Sequence, residues 1–446
     1  MQHKDLQGYC LQEWAGRGRI LKVEQKLMYC SEMESTVSLL QKVLDRKEDD
    51  IVSMHNAELA KGIYQVGAVD WITRDFHGYK TPRGVTYNSY LIVDEKVCLI
   101  DAVKAPFAKE LLERVREIID PAKVDYVIVN HVEPDHSSGL PAFIEAAPQA
   151  KVIITEQGRG ELVKYFGREY DFQVVKNGDT LSLGQRTLHF VPLPMLHWPD
   201  SMATYLEEEQ ILFSNDAFGQ HYSSNFKFDD ENELSEVLYE AKKYYANILM
   251  PFSKLVLKAL DSLATLPIRM IAPSHGIIWR SSVPDIMTLY KKWGAGETDP
   301  LVLVVYDTMW GSTEAMARKI LEGLTAGGIK AKFYRMAESD KSEMVAELLQ
   351  ARGLIIGAST LNNGMLPGMA GFLYYLKGLK PLHKMGAAFG AYGWAGGAQA
   401  DIEIALKAAG IPVEMAGPTL KWAPTPEELQ RCFEFGRDFA HKMLGQ

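Results

Sequence analysis

Metal-binding side chains are concentrated in residues 131–136, where His131, Glu133, Asp135 and His136 stand within six consecutive positions. Imidazole and carboxylate groups are ligands that proteins offer to iron, zinc and manganese. The cluster directly follows an apolar run, residues 124–130, whose composition predicts a β-strand. Because open α/β sheets place their binding sites at the carboxyl ends of strands, this pattern predicts a metal site.

Three more candidate ligands, His197, Asp216 and His275, also follow strand-like apolar runs. Six residues cannot complete two coordination spheres, so ligands from elsewhere in the chain are expected. Taken singly, a histidine after a strand is more often structural, and an aspartate there usually caps a helix. Together, four histidines and three carboxylates indicate a metal centre, in which the adjoining Asp135 and His136 would face a second ion.

A second group of chemically informative residues forms a loop after the apolar run 301–306. The loop carries Thr308, Gly311 and Thr313 in the spacing T-x-x-G-x-T, and a helical pattern follows it. Backbone N–H groups and the helix dipole make such a strand–loop–helix a phosphate cradle. No lysine precedes Ser312 or Thr313, which argues against a nucleotide-hydrolysing P-loop, and no G-x-G-x-x-G motif indicates a dinucleotide fold.

The length of 446 residues predicts at least two domains, because a single hydrophobic core usually stops growing at about 250–300 residues. Strand-like and helical patterns alternate from residue 62 onward, and most regularly after residue 301, which predicts an α/β protein. The glycine-bearing break at residues 293–300 predicts a linker. We expect an N-terminal extension of unknown role at 1–53, a domain with the metal ligands at 54–298 and a doubly wound domain at 299–446.

Net charge and cysteine spacing argue against several classes of binding partner and metal site. The net charge of −9, without a basic run, argues against binding to nucleic acid or to an anionic membrane. The four cysteines lie far apart without a C-x-x-C pair, which argues against a disulfide scaffold, a thiolate zinc site or an iron–sulfur centre. The sequence also has neither a signal peptide nor an apolar run of about 18 residues, so we expect a soluble cytoplasmic protein.

The motif H-x-E-x-D-H, followed by His197, Asp216 and His275, resembles the metallo-β-lactamase fold. Glu133 at its third position, joined to a flavodoxin-like domain, resembles the flavodiiron proteins over about residues 57–446. The resemblance implies an α/β fold in which a metallo-β-lactamase-like αββα domain precedes a flavodoxin-like doubly wound parallel sheet. It also implies a ligand set for two non-haem iron ions: His131, Glu133 and His197 for one ion, Asp135, His136 and His275 for the other, and Asp216 as the bridge between them.

The T-x-x-G-x-T loop resembles the flavodoxin loop for the FMN phosphate, and two later loops resemble those that hold the isoalloxazine ring. Glycines there permit close backbone approach and an aromatic side chain offers a stacking face. The FMN-binding residues that the resemblance implies are Thr308, Met309, Trp310, Gly311, Ser312, Thr313, Ser359, Thr360, Leu361, Asn362, Asn363, Gly364, Tyr392, Gly393, Trp394, Ala395 and Gly396.

The resemblance implies a reductase of O2 to water, of NO to N2O, or of both, which protects an anaerobe or microaerobe from oxidative or nitrosative stress. It implies an external electron donor, rubredoxin, and a head-to-tail homodimer or a dimer of dimers. His77 is expected to reach the open side of the metal centre. Tyr244 or Tyr245 is expected near the metals, because the family has a tyrosine there, and we select Tyr244.

Two other functions remain as alternatives: a zinc hydrolase with a fused flavodoxin domain, and a flavodoxin-type electron carrier whose first domain binds partners. Glu133 argues against the hydrolase, because hydrolytic members of the fold carry histidine there and a carboxylate favours iron over zinc. The complete ligand set argues against the carrier. The same ligands serve O2 and NO, so the ligand set does not decide between the two substrates.

Overall fold

The computed structural model describes residues 56–446, so the extension expected at 1–53 lies outside the described residues. The first part of the described chain is built on two large sheets and two small two-stranded sheets. Its strands are β1 (Ala57–Ala60), β2 (Ile63–Gln65), β3 (Ala68–Asp70), β4 (Asp75–Phe76), β5 (Tyr79–Lys80), β6 (Val85–Tyr87), β7 (Tyr90–Val93), β8 (Val97–Ile100), β9 (Val124–Ile128), β10 (Lys151–Thr155), β11 (Phe172–Val175), β12 (Thr180–Ser182), β13 (Thr187–Pro192), β14 (Met202–Leu206), β15 (Ile211–Asn215) and β16 (Met270–Pro273).

The helices of this part are mostly short and amphipathic. The α-helices are α1 (Ala108–Arg116), α2 (Pro134–Ser137), α3 (Leu140–Ala146), α4 (Glu156–Phe166), α5 (Leu234–Tyr244), α6 (Ser253–Leu263) and α7 (Val283–Ala295). A π-helix at Tyr245–Leu249 continues α5, and 3-10 helices lie at Ala105–Phe107, Pro121–Lys123, Asp229–Glu231 and Met250–Phe252.

The two sheets pack face to face. One has the strand order β1-β2-β7-β8-β9-β10-β11 and the other β12-β13-β14-β15-β16. Alternate side chains of both sheets, such as Ile128 and Phe213, fill the core between them. The outer face of the first sheet is covered by α1 and α3, and that of the second by α5, α6 and α7. This arrangement confirms the αββα domain expected from the sequence.

The second part is a five-stranded parallel sheet in the order β18-β17-β19-β20-β21, the flavodoxin order, with helices on both faces. The expected doubly wound fold is therefore confirmed. Its elements are β17 (Asp299–Asp307), α8 (Ser312–Ala326), β18 (Lys330–Arg335), a 3-10 helix (Met336–Glu338), α9 (Lys341–Gln350), β19 (Ala351–Ser359), α10 (Pro367–Leu379), β20 (Met385–Tyr392), α11 (Ala398–Ala408), β21 (Val413–Lys421) and α12 (Pro426–Leu444).

The connection between the two parts is shorter than the expected linker at 293–300. Helix α7 continues to Ala295 and ends where Gly296 adopts a left-handed φ of 67°, and β17 begins at Asp299. Polar contacts hold the two parts together: the Asn247 side chain donates to the Ser342 carbonyl at 3.0 Å and accepts from the Tyr375 hydroxyl at 2.8 Å. Within residues 56–446, no helix has both the length and the apolar character needed to cross a membrane.

Candidate metal centre

The fold brings the seven candidate ligands to one end of the two-sheet sandwich. The loop after β9 carries His131 and Glu133, and Pro134 then starts α2, which carries Asp135 and His136. The expected loop is thus interrupted by a helical turn, because proline is favoured in the first turn of a helix. Strands β15 and β16 are parallel neighbours, so Asp216 and His275, which follow them, arrive side by side. His197 lies in the segment after β13.

Four of these side chains converge on one point. The Nε2 atoms of His131 and His197 lie 3.3 and 3.1 Å from Oε2 of Glu133. The same two nitrogens lie 3.7 and 3.4 Å from Oδ2 of Asp216. With metal–ligand bonds of about 2.1 Å, ligand atoms around one ion are separated by about 3.0–3.4 Å. Three of the four distances fall in this range, and only that between His131 and Asp216, at 3.7 Å, is longer, so the spacing suits a single cation.

The other three side chains form an equivalent group on the opposite side of Asp216. Oδ2 of Asp135 lies 3.1 Å from Nε2 of His275, and Oδ1 of Asp135 lies 3.5 Å from Nε2 of His136. Oδ1 of Asp216 faces these two nitrogens at 3.5 and 3.1 Å. Because the two oxygens of Asp216 face different groups, this carboxylate is positioned to bridge two ions.

The donor atoms at this site are short of hydrogen bonds. Nε2 of His136, both carboxylate oxygens of Asp135 and Oδ2 of Asp216 are buried without a hydrogen-bond partner. Buried polar atoms are rarely left unpaired in proteins, and a bound ion is one reason for an exception. These atoms belong to two compact groups of ligand atoms, which fits two cations.

The electrostatics of the site also favour positive charge. Burial lowers the pKa of His131, but hydrogen bonds to Asp200 and Glu133 outweigh it and raise that pKa to about 10. Burial likewise opposes the shift at His136, where the charges of Asp135 and Asp216 raise the pKa to about 10. Carboxylates that stabilise imidazolium ions this strongly would also stabilise metal cations in the same place.

Two ligands are held by groups that the sequence interpretation did not identify. The Nδ1 atom of His131 lies 3.0 Å from both carboxylate oxygens of Asp200, which also accepts a 2.7 Å hydrogen bond from the Val132 N–H. The Nδ1 atom of His275 lies 2.6 Å from the carbonyl oxygen of Thr86. Such partners keep the proton on Nδ1 and leave Nε2 free for a metal. The only sequence signal for Asp200 is its place three residues after His197.

Of the further candidates, His77 and Tyr244 lie at the metal centre and Tyr245 does not contact it. The exposed His77 side chain reaches the open side of the centre, with Nε2 3.2 Å from Oε1 of Glu133. The Tyr244 hydroxyl donates a 2.9 Å hydrogen bond to Oδ1 of Asp216. The Tyr245 hydroxyl pairs with Ser253 instead, at 3.1 Å. Of the two tyrosines, Tyr244 is therefore the one that contacts a candidate ligand.

The three candidate FMN loops lie at the carboxyl ends of β17, β19 and β20, which are neighbours in the parallel sheet. Ser359 links the first two loops, because its hydroxyl lies 3.0 Å from the Thr313 hydroxyl and accepts from the Met309 N–H at 3.4 Å. The Thr360 N–H donates to the Ala391 carbonyl at the end of β20, at 2.9 Å. All three loops therefore lie together at the carboxyl-terminal end of the parallel strands.

The first loop has the features of a phosphate cradle. Gly311 adopts a left-handed φ of 87° and precedes α8, whose first turn has no side-chain cap. The free N–H groups at this helix end, with Ser312 and Thr313 as its first residues, can therefore receive an anion.

The other loops present tight turns and aromatic faces. Asn362 and Asn363 both have positive φ in the turn that ends at Gly364. Trp310 and Trp394 are the most exposed aromatic side chains of the loops, at 94% and 85%. Such exposed rings suit stacking on a flavin. The remaining candidates, Leu361, Tyr392, Gly393, Ala395 and Gly396, lie in the same two loops.

Comparison with known proteins agrees with this architecture. The family described as ODP family beta lactamase matches residues 85–276, and the flavodoxin family matches residues 304–436. The chain is similar to a nitric oxide reductase of Moorella thermoacetica, with 47% identity over 391 residues that cover 86% of this chain and 98% of the relative.

Solved structures agree as well. The rubredoxin oxygen:oxidoreductase of Desulfovibrio gigas superposes with a TM-score of 0.85 at 37% identity, covering 88% of this chain and 99% of its own. The flavodiiron protein of Giardia intestinalis gives a TM-score of 0.85 at 36% identity, covering 88% and 97%.

Proposed function

The chain belongs to the flavodiiron protein family, and on that premise we propose that it is an oxidoreductase that reduces NO to N2O and O2 to water. The observation that carries the proposal is the division of seven ligands into two groups that share Asp216. Glu133 within the first group favours iron over zinc, which argues against the hydrolase. The ligands that we assign are His131, Glu133, Asp135, His136, His197, Asp216 and His275.

When bound, two iron ions and FMN supply the electrons and the open coordination positions that reduction of a diatomic gas requires. The chain's own residues prepare the centre. Asp200 fixes the orientation of His131, and Tyr244 donates to Asp216 and so keeps the bridging carboxylate in place. His77, on the open side beside Glu133, is positioned to hydrogen-bond a ligand that enters there.

FMN is assigned to the three loops of the flavodoxin-like domain. Its phosphate would lie on the first turn of α8, and its ring would lie between the second and third loops. Gly397, which directly follows the third loop, supports this assignment, because a Cβ atom at this position would overlap the carbonyl oxygen of Asn363. The two loops can approach each other closely only with glycine at this position.

Electrons come from an external donor protein, for which we propose rubredoxin. The name of the Desulfovibrio gigas relative includes that donor. The exposed Trp310 and Trp394 at the FMN loops provide a face on which a donor or a second subunit could pack. We also propose a head-to-tail homodimer, in which the FMN of one subunit serves the metal centre of the other. Dilution that lowers turnover while both cofactors stay bound would support it, and full activity of a monomer would contradict it.

We retain the domain limits 54–298 and 299–446, which the short connection at 296–298 supports. A cytoplasmic location is proposed as well. Among the described residues, the free cysteines Cys98 and Cys432 are buried, which suits a reducing compartment.

One preparation can test the proposed activity. Iron, zinc and FMN are quantified, the protein is reduced anaerobically with rubredoxin, and O2 and NO consumption are measured in parallel. His131→Ala should abolish both activities while FMN stays bound, because the flavin loops lie in the other domain. His189→Ala is the matched control, since His189 on β13 pairs with Glu207, which directly follows β14, outside the centre. Zinc without iron would support the hydrolase, and unchanged activity of His131→Ala would support the electron carrier.

A further inference from the structure

A buried histidine without partners lies behind the second group of ligands. His221 is fully buried, and neither of its ring nitrogens has a hydrogen-bond partner. Its ring is surrounded by those of Phe76, Tyr79, Tyr244 and His275, with centroid distances of 5.0, 5.2, 5.1 and 5.0 Å. An imidazole that ligates nothing and pairs with nothing costs free energy at this position, so a role for it is expected.

Further unpartnered polar groups continue from His221 toward the surface. The hydroxyl of buried Tyr79 has no partner, and Nζ of the fully buried Lys243 lies 5.6 Å from the Tyr79 ring centroid. Lys243 has no hydrogen-bond partner either, and its nearest carboxylate is Glu240, with Oε2 at 3.7 Å. Internal water typically satisfies buried polar groups of this kind, at about three hydrogen bonds per molecule.

The outer end of this series opens to solvent. Glu240 lines a cleft of about 560 Å³ between the two parts of the chain. Arg83 and Glu236 line the same cleft from the first part, and Glu343 lines it from α9 of the second. Glu240 is itself 4% exposed and forms part of the cleft wall, and the buried series leads from there to His275 and Tyr244.

We propose that Glu240, Lys243, Tyr79 and His221 form a hydrated path that conducts protons from this cleft to the metal centre. The path rests on the proposed function, which consumes protons: O2 takes up four electrons and four protons to give two waters, and two NO take up two electrons and two protons to give N2O and water. The external donor protein supplies the electrons through FMN, and solvent supplies the protons. His221 stays neutral, because it accepts a proton at one ring nitrogen and releases one from the other.

The burial of the ligands explains why such a path is needed. The first group is open on the side of His77, whose side chain is 73% exposed. The second group is closed to solvent, with His136 and His275 both 1% exposed and Phe76 packed against His275 at a centroid distance of 6.1 Å. The second group therefore has no direct solvent contact on its own side, and the path would supply protons there.

The charge environment of Glu240 suits the outermost position. Burial raises the pKa of Glu240 to about 7, against the opposing charges of Lys243 and Arg83, and Glu343 adds to the increase. Glu236, also in the cleft, pairs with Arg83. A carboxyl group that is partly protonated near neutral pH is an effective proton donor.

The test combines activity with crystallography of the metal-loaded protein. In Glu240→Gln, the rate at which O2 or NO oxidises the reduced enzyme should fall by about 100-fold, the lower end of what a positioned proton-transfer group contributes. The wild-type rate should decrease as the pH rises through about 7, and the variant should lose that dependence. Lys243→Met should act in the same direction. Iron and FMN contents should stay unchanged in both variants.

Glu236→Gln is the matched control, because it removes a carboxylate from the same helix and cleft without touching the buried series. A crystal structure should show ordered water within hydrogen-bond distance of Lys243 Nζ and a ring nitrogen of His221. Full activity and an unchanged pH profile in Glu240→Gln, or no water between Lys243 and His221, would overturn the path. If wild-type protein and the Glu236→Gln control both failed to consume either gas, the proposed function would be wrong, whereas loss in Glu240→Gln alone would support the path.

Discussion

Replacement of Asp200 by asparagine tests whether this buried carboxylate orients a metal ligand. Asp200 is 2% exposed and accepts from two donors, the Nδ1 group of His131 and the N–H of Val132. Asparagine has nearly the same shape, but only one of its two terminal atoms accepts. One donor would therefore face an NH2 group, and His131 would lose the charge that holds its Nδ1 proton.

The substitution should lower both the metal affinity and the folding stability. Changes to residues that hydrogen-bond a metal-ligating histidine typically cost about 10–100-fold in metal affinity, or about 1.4–2.7 kcal/mol. Nδ1 of His131 lies 3.0 Å from both oxygens of Asp200 and would lose its charged acceptor, and a hydrogen bond to a charged group contributes about 1.5–3 kcal/mol to folding stability. Iron binding should therefore weaken in Asp200→Asn beyond any general loss of stability.

Iron affinity is measured by competition with a chelator, and the stability of the metal-free protein by thermal unfolding. Asp229→Asn is the matched control. Asp229 is 1% exposed and accepts backbone hydrogen bonds at residues 280–282, away from the metal ligands. It should lose a similar amount of stability and keep its iron affinity. Equal iron affinity in wild type and Asp200→Asn, or an equal decrease in both variants, would refute the reasoning.

Three further substitutions test other contacts. Tyr244→Phe removes the 2.9 Å hydrogen bond to Asp216 and should slow turnover while iron content is retained; equal turnover would contradict a role for the hydroxyl. Gly397→Ala places a methyl group against the Asn363 carbonyl, which should weaken FMN binding by about 1–3 kcal/mol in a fluorescence titration. Tyr375→Phe removes a 2.8 Å hydrogen bond between the two parts and should lower the free energy of unfolding in urea by about 1 kcal/mol.

Much of the fold was predictable because its signals are local. Apolar runs at 124–130 and 301–306 predicted β9 and β17, and the glycine-bearing break predicted a linker at 293–300. The prediction was wrong about the length of the break, since α7 continues to Ala295. The helical periodicity of α7 extends into a segment whose glycines suggest a loop. Packing of Trp293 against Tyr245 stabilises the last turn of this helix.

The sequence by itself determined which ligand types are present and that they follow strands, because side-chain chemistry and strand propensity are properties of short segments. Only the tertiary structure decided which oxygen of Asp216 faces which group of histidines, and which tyrosine contacts it. It also revealed Asp200, 69 positions from His131 along the chain, and the buried series that ends at His221. Contacts between residues so far apart depend on how the sheets and helices pack, and no local pattern records that packing.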